Sequence, residues 1–269
     1  MRFGSLFSGI GGLDLGLERA GMTCVWQSEI EPYACRVLAK HWPDIPNLGD
    51  IRDIDWTRVD RVDLVAGGYP CQPFSYAGVR RGQDDPRHLW PMFADCLRVV
   101  RPRYALLENV SGHLGLGFGS VQRDLAEIGY DARWDCIPAA ALGAPHLRDR
   151  VFVVATRRTP MDTDSQSQSR QPKHGSTRPW PSPMAYADRQ RFAQRKSAAF
   201  TNKPIIVDRP NDERGGIWES EPSVGRVAHG IPRRMDRLRA LGNAVVPQVA
   251  EHIGNIIMEA DNDCQIEAP

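Results

Sequence analysis

The sequence predicts an α/β protein, an open sheet with helices on both faces, from three observations. Short apolar runs rich in β-branched residues alternate with stretches of helical periodicity along the first 156 residues. The first run, residues 2–7, passes through Ser8-Gly9-Ile10-Gly11-Gly12 into a helical pattern over 13–20, a strand, glycine turn and helix of the kind that cradles a ligand. Later strands end in polar residues, and ligands of open α/β sheets bind at the carboxyl ends of strands.

The elements follow in order. In the first turn, glycines let a ligand approach the backbone, and the helix N-terminus offers unpaired N–H groups. The spacing departs from G-x-G-x-x-G, so the turn alone does not specify a dinucleotide. Residues 23–27 read as a second strand that ends at Ser28-Glu29 and enters a helix over 31–41. Glu29 stands where ribose hydroxyls need acceptors, and a helix-entry charge is the competing role. Asn47-Leu48-Gly49-Asp50-Ile51 is a turn that sets Asp50 against an adenine amino group or caps a short helical turn.

Val62-Asp63-Leu64-Val65-Ala66 has the pattern of a buried strand, and Gly67-Gly68 lets the chain leave the sheet. Pro70 and Pro73 stiffen the turn on both sides of Cys71, which is a reactive thiol or a packing cysteine. The polar loop 76–87 is long enough to be a lid or a solvated connection. A helix over 89–100 leads to a strand over 104–107, which ends in Glu108-Asn109-Val110 and places a carboxylate for acid/base work or as a cap. A further helix falls within 114–130 and a strand over 131–138. Arg148 and Arg150 then enter the strand 151–155 on one face, suited to phosphate or a carbonyl oxygen, or to pairing with Asp149.

Composition bounds the class. The chain has 269 residues, 41% of them hydrophobic, enough for one large core with a smaller appendage. Net charge is +1, yet residues 157–217 hold twelve Lys/Arg and six acids, so that segment is +6 and the remainder −5. A basic module on a mildly acidic body suits a DNA-directed enzyme, and exposed basic loops without a ligand share the pattern. The six cysteines, at 24, 35, 71, 96, 136 and 264, form no C-x-x-C pair and have no histidines at zinc-ligand spacing, so neither a disulfide framework nor a metal is expected. With no signal peptide and no apolar run of membrane length, the expectation is a cytoplasmic protein with reduced thiols and no membrane contact.

The ordered set Phe7-Ser8-Gly9-Ile10-Gly11-Gly12, Glu29, Asp50, Pro70-Cys71-Gln72, Glu108-Asn109-Val110, Arg148-x-Arg150 and Gly242-Asn243-Ala244-Val245-Val246-Pro247 closely resembles the DNA (cytosine-5)-methyltransferase family, over residues 1–156 and about 225–258. The resemblance implies a Rossmann-like S-adenosylmethionine-dependent methyltransferase sheet with a small inserted recognition module. It makes Cys71 the nucleophile at cytosine C6, Glu108 the partner of N3 and the exocyclic amine, and Arg150, with Arg148, the neutraliser of the carbonyl side and nearby phosphate. For the cofactor S-adenosylmethionine it implies Phe7 on the adenine, Gly9, Gly11 and Gly12 around the methionine portion and Glu29 at the ribose, with Ser8 and Ile30 among the cofactor-binding residues. Asp50 with Ile51 would meet the adenine amine, Gly68 and Pro70 the sulfonium side, and Asn243 with Ala244 would close the pocket. Since stacking hides C6, the cytosine of double-stranded DNA must be flipped out, with the loop 72–87 as the candidate for holding it.

The implied organisation is a catalytic and cofactor-binding domain over 1–156, a short and partly disordered recognition insertion over 157–217, a returning segment over 218–258 and a frayed tail over 259–269. The insertion is poorly patterned: 162–169 is low in apolar residues, 178–183 is extended, and only Ile205-Ile206-Val207 suggests a strand. His146 stands where many relatives carry glutamine ahead of the paired arginines. A monomer is expected, with a cognate restriction endonuclease as a further partner. Three rival readings are a tRNA cytosine-5 methyltransferase, an NAD-dependent oxidoreductase, which leaves Pro70-Cys71-Gln72 and Glu108-Asn109-Val110 without a purpose, and a catalytically weak DNA-binding relic.

Overall fold

The computed structural model describes residues 1–70, 89–115, 117–158 and 234–266. Its elements are β1 (Arg2–Leu6), α1 (Gly12–Arg19), β2 (Thr23–Ser28), α2 (Pro32–His41), β3 (Leu64–Gly67), α3 (Trp90–Val100), β4 (Tyr104–Val110), α4 (Phe118–Glu127), β5 (Tyr130–Pro138), β6 (Asp149–Arg157), α5 (Arg234–Asn243) and α6 (Pro247–Ile266). The six strands make one sheet in the order β2-β1-β3-β4-β6-β5. β1 pairs in parallel with β2 and β3, and β3 with β4. β6 runs antiparallel to both β4 and β5. Only a 3-10 turn (Ala139–Leu142) and a short loop join β5 to β6. Without a crossover helix to carry the chain back, β6 returns in the opposite direction.

Along the central strands β1, β3, β4 and β6 the sheet is buried on both faces, and alternate residues feed different cores. Leu6, Val65, Leu107 and Val153 join Trp90, Phe93 and Leu97 of α3 and Leu125 of α4 on one face. Phe3, Leu64, Ala66, Leu106 and Val154 join Leu13 and Leu17 of α1 and Val249, Ile253 and Ile257 of α6 on the other. Each fully buried side chain of this size contributes about 1.5–3 kcal/mol, which is why β3 needs only four residues, all buried.

α6 enters from the far end of the chain and lies against α1. A Cβ at Gly16 would stand 2.4 Å from both the Ala250 Cβ and the Pro247 carbonyl oxygen, and one at Gly254 2.7 Å from the Ala20 Cβ. The two helices therefore approach as closely as glycine allows. Residues 159–233 fall, in sequence, between two segments of one packed unit. One expectation is corrected here: 259–266 is not a frayed tail but the last turns of α6. Asp261 is buried and accepts from Arg103 at 2.5 Å and from the Tyr104 hydroxyl at 3.3 Å, which anchors those turns to the start of β4. Cys71, the loop 72–87 and the recognition stretches at 162–169, 178–183 and 205–207 lie outside the described residues.

Candidate active site

The site forms where β1, β2, β3 and β4 end. Beyond β1, Phe7 takes φ 53°, a left-handed conformation uncommon for an aromatic residue, and the chain turns through Ser8 to Gly11. The Ser8 N–H donates to the Ser28 carbonyl at 3.2 Å, and the Gly11 N–H to the Ser8 carbonyl at 2.9 Å. Glu29 ties this turn to the one after β2: its Oε2 accepts from the Gly9 N–H at 2.7 Å, and its Oε1 from the N–H groups of Ile30 and Glu31 at 2.8 and 2.7 Å. The carboxylate thus stands at the α2 entrance, where a helix N-terminus favours an acid, and also in the wall of the cavity.

Asp50 accepts from the Arg52 side chain and backbone N–H, and these hydrogen bonds hold its carboxyl below the usual range. Across the cavity, Glu108 at the end of β4 is buried and receives the Arg150 Nε at 3.0 Å. Burial pushes the Glu108 carboxyl up, against the opposing pull of Arg150 and Arg148. A Cβ on Gly68, just past β3, would lie 2.6 Å from the Glu108 Oε2, so a side chain there would displace this carboxylate.

These residues line one cavity of about 380 Å³, within the size range of small-molecule sites. It brings together Phe7, Ser8, Gly9, Glu29, Ile30, Asp50, Ile51, Gly68, Pro70, Glu108, Arg150, Asn243 and Ala244. Three anticipated residues stand elsewhere. Gly11, at φ 81°, makes room for Trp42, and a Cβ on Gly12 would strike the Val245 carbonyl at 2.3 Å, so their smallness serves the packing of α1. Arg148, at φ 39°, acts on Glu108 only through its charge, and its hydrogen bonds go elsewhere. Its guanidinium donates to the carbonyls of Gly242 and Ala244 at 2.8 and 2.5 Å and fastens the loop between α5 and α6 to the start of β6.

The cavity also contains residues the sequence reading missed. Arg239 of α5 pairs at 3.6 Å with Glu31, the residue that leads into α2, across the cavity's edge, and both line it. Asn109 donates from its amide to the Tyr69 carbonyl at 3.1 Å, and the Tyr69 hydroxyl meets His113 Nε2 at 2.8 Å. Asn109 belongs to a motif quoted from sequence, which offered that much signal; Arg239 and Glu31 lie in no shared pattern. Among the described residues, no group of side chains could hold a metal ion and no helix is long and apolar enough to cross a membrane.

A glycine turn after β1, an acid at the end of β2 and a buried carboxylate at the end of β4 define the class, an α/β methyltransferase. The Entamoeba histolytica methyltransferase EhMeth shares this fold, with a TM-score of 0.51 at 22% identity over 66% of this chain and 57% of that one. So does a protein described as a DNA modification methyltransferase encoded within an E. coli prophage, with a TM-score of 0.50 at 27% identity over 58% of this chain and 47% of that one. The family model of C-5 cytosine-specific DNA methylases matches residues 1–214, and the chain belongs to that family. It is 41% identical over 164 residues to the Type II methyltransferase M.NgoMIV of Neisseria gonorrhoeae, covering 58% of this chain and 53% of that protein. To M.Eco47II of Escherichia coli, also a Type II methyltransferase, it is 38% identical over 160 residues, covering 56% of this chain and 38% of that protein. The chain thus spans about half or less of the length of these relatives. The family's methyl donor is S-adenosylmethionine.

Proposed function

We propose that the protein transfers a methyl group from S-adenosylmethionine to C5 of a flipped cytosine in double-stranded DNA, in a specific sequence context, through a covalent bond between Cys71 and C6. The observation that carries this reading is the Glu108–Arg150 pair, a buried carboxyl and a fixed cation at 3.0 Å in the wall of a cavity built over the glycine turn. The cavity fits the donor: Gly9 and Gly68 leave space that side chains would fill, and Glu29 and Asp50 offer acceptors for the ribose hydroxyls and the adenine amine. When bound, S-adenosylmethionine supplies an electrophilic methyl group.

Cytosine C5 is a poor nucleophile. The Cys71 thiolate adds to C6, forming the C6–S bond, and the ring electrons move toward C5 and N3. The Glu108 carboxyl, kept protonated more readily than an exposed acid by its burial, holds a proton at N3 and accepts from the exocyclic amine. Arg150 neutralises the carbonyl side. Once C5 carries the methyl group, loss of its proton to a base and rupture of the C6–S bond restore the aromatic ring and the thiolate. The names of the Type II relatives support a sequence-specific role beside a restriction endonuclease, and the basic segment 157–217 is the part of the chain suited to DNA phosphates.

The test is transfer of labelled methyl groups to duplex DNA of mixed sequence, with single-base mapping of the product and Cys71→Ala beside the wild type. Methylated cytosines in one context, absent with a Cys71→Ala protein that still binds S-adenosylmethionine, are expected. Normal turnover by that variant overturns the mechanism, and labelling of tRNA in place of duplex overturns the substrate.

A further inference from the structure

Asp14 lies in the first turn of α1, wholly buried beneath the glycine turn, and takes no part in the chemistry above. Its Oδ2 receives the Ser5 hydroxyl at 3.0 Å, and its Oδ1 receives the Gln27 amide at 2.8 Å and the Cys24 thiol at 4.0 Å. Ser5 in turn receives the Ser8 hydroxyl at 2.9 Å, with the Ser5 carbonyl a longer alternative at 3.3 Å. Ser8 lines the cavity.

The direction of these bonds is forced when Asp14 is ionised. A carboxylate only accepts, and a serine hydroxyl has one hydrogen. Ser5 must therefore spend its hydrogen on Asp14, and the Ser5–Ser8 bond must be donated by Ser8. Ser8 then has no hydrogen left for the cavity and presents lone pairs alone. A ligand group meeting it must be a donor. Of the donors on S-adenosylmethionine, the adenine amine and ribose hydroxyls have Asp50 and Glu29, which leaves the α-ammonium.

We propose that Asp14 is a positioning residue of the methyl-donor pocket: acting through Ser5, it fixes the Ser8 hydroxyl as an acceptor for the α-ammonium group of S-adenosylmethionine. This rests on the function proposed above. Protonation of Asp14 lets it donate, and the order of the chain is released. Burial raises its pKa to about 6 against the hydrogen bonds from Gln27 and Ser5, so the release falls in an accessible pH range. The titratable groups bearing on it are Glu18 of α1, which raises its pKa further, and Cys24 of β2, whose own thiol burial holds neutral throughout that range.

The experiment is calorimetric titration of S-adenosylmethionine into the wild type, Asp14→Asn, Ser8→Ala and the double variant at pH 7.5 and 5.5, with circular dichroism as the check on folding. Loss of one such hydrogen bond weakens binding about five- to tenfold. Each single variant is expected to show that loss at pH 7.5, and the double variant no more than either single one, because both break the same chain. The ratio of wild-type to Asp14→Asn affinity is expected to shrink toward one at pH 5.5. Losses that multiply in the double variant, or wild-type affinity in Asp14→Asn, overturn the proposal. Should Asp14→Asn fail to fold, Ser5→Ala interrupts the same chain and must show the same non-additivity with Ser8→Ala. A folded wild type that binds no S-adenosylmethionine overturns the function proposed above, an outcome distinct from binding that is indifferent to Asp14.

Discussion

Glu108 is buried at the end of β4 with Arg150 at 3.0 Å, and the two influences on its proton oppose each other. Glu108→Gln keeps the shape but cannot exchange a proton, and single-turnover methyl transfer is expected to slow by about 10²–10⁴ with donor binding retained. Arg150→Met removes a group that lowers the Glu108 pKa, so the pH limb set by that carboxyl is expected to move upward in the single-turnover profile. A downward or absent movement would separate the pair functionally. Arg148 answers to a different assay: because it holds the Gly242 and Ala244 carbonyls, Arg148→Ala is expected to weaken donor binding in equilibrium titration. Asp14 also affects stability. Its folded pKa is raised from 3.8 to about 6, so the stability linked to its protonated form is complete below pH 4 and lost as pH rises through 6. That shift corresponds to about 3 kcal/mol. In urea melts, Asp14→Asn is expected to lose this part of the decline between pH 4 and 7.5.

At the scale of elements, the α1–α6 contact depends on glycine. Gly16→Ala places a methyl group 2.4 Å from Ala250 and the Pro247 carbonyl, and overpacking of this kind costs about 1–3 kcal/mol. A lowered urea midpoint with unchanged slope is the expected result. The strand, turn and helix at the N-terminus were legible in the sequence because each signal there is local: an apolar run, glycines, then helical periodicity. The purposes of the glycines were not. Room for a ligand and room for a neighbouring side chain require the same residue, and only packing separates Gly9, in the cavity, from Gly11 beneath Trp42. Glu29 and Glu108 were legible as acids at strand ends, where the topology leaves a ligand site. The partners of Arg148 lie 94 and 96 residues away, and nothing local in sequence announces such a contact. Asp261 looks like tail in the sequence for the same reason, since its anchor is Arg103, 158 residues earlier.

For the whole molecule, charge divides the labour. Residues 157–217 carry +6 and the rest −5, so the proposed function puts the attraction to DNA in one segment. If six phosphates are neutralised there, DNA affinity falls on the order of 10³-fold between 50 and 200 mM salt, whereas donor affinity is expected to change little. Replacing six Lys/Arg of 157–217 with glutamine is expected to flatten the salt slope for DNA in fluorescence anisotropy and leave the donor isotherm intact. An unchanged slope would move the phosphate contacts to another part of the chain.

The ion pair between Arg239 and Glu31 joins a helix near the end of the chain to one near its beginning. Ribosomes make proteins in one direction. The glycine turn, Glu29, Asp50 and Glu108 are all synthesised more than a hundred residues before Arg239, Asn243 and Ala244 arrive to finish the same cavity. The cavity is therefore closed only after α5 and α6 have been made, and if it is the donor site, as proposed, grip on the methyl donor is the last of its properties to be encoded.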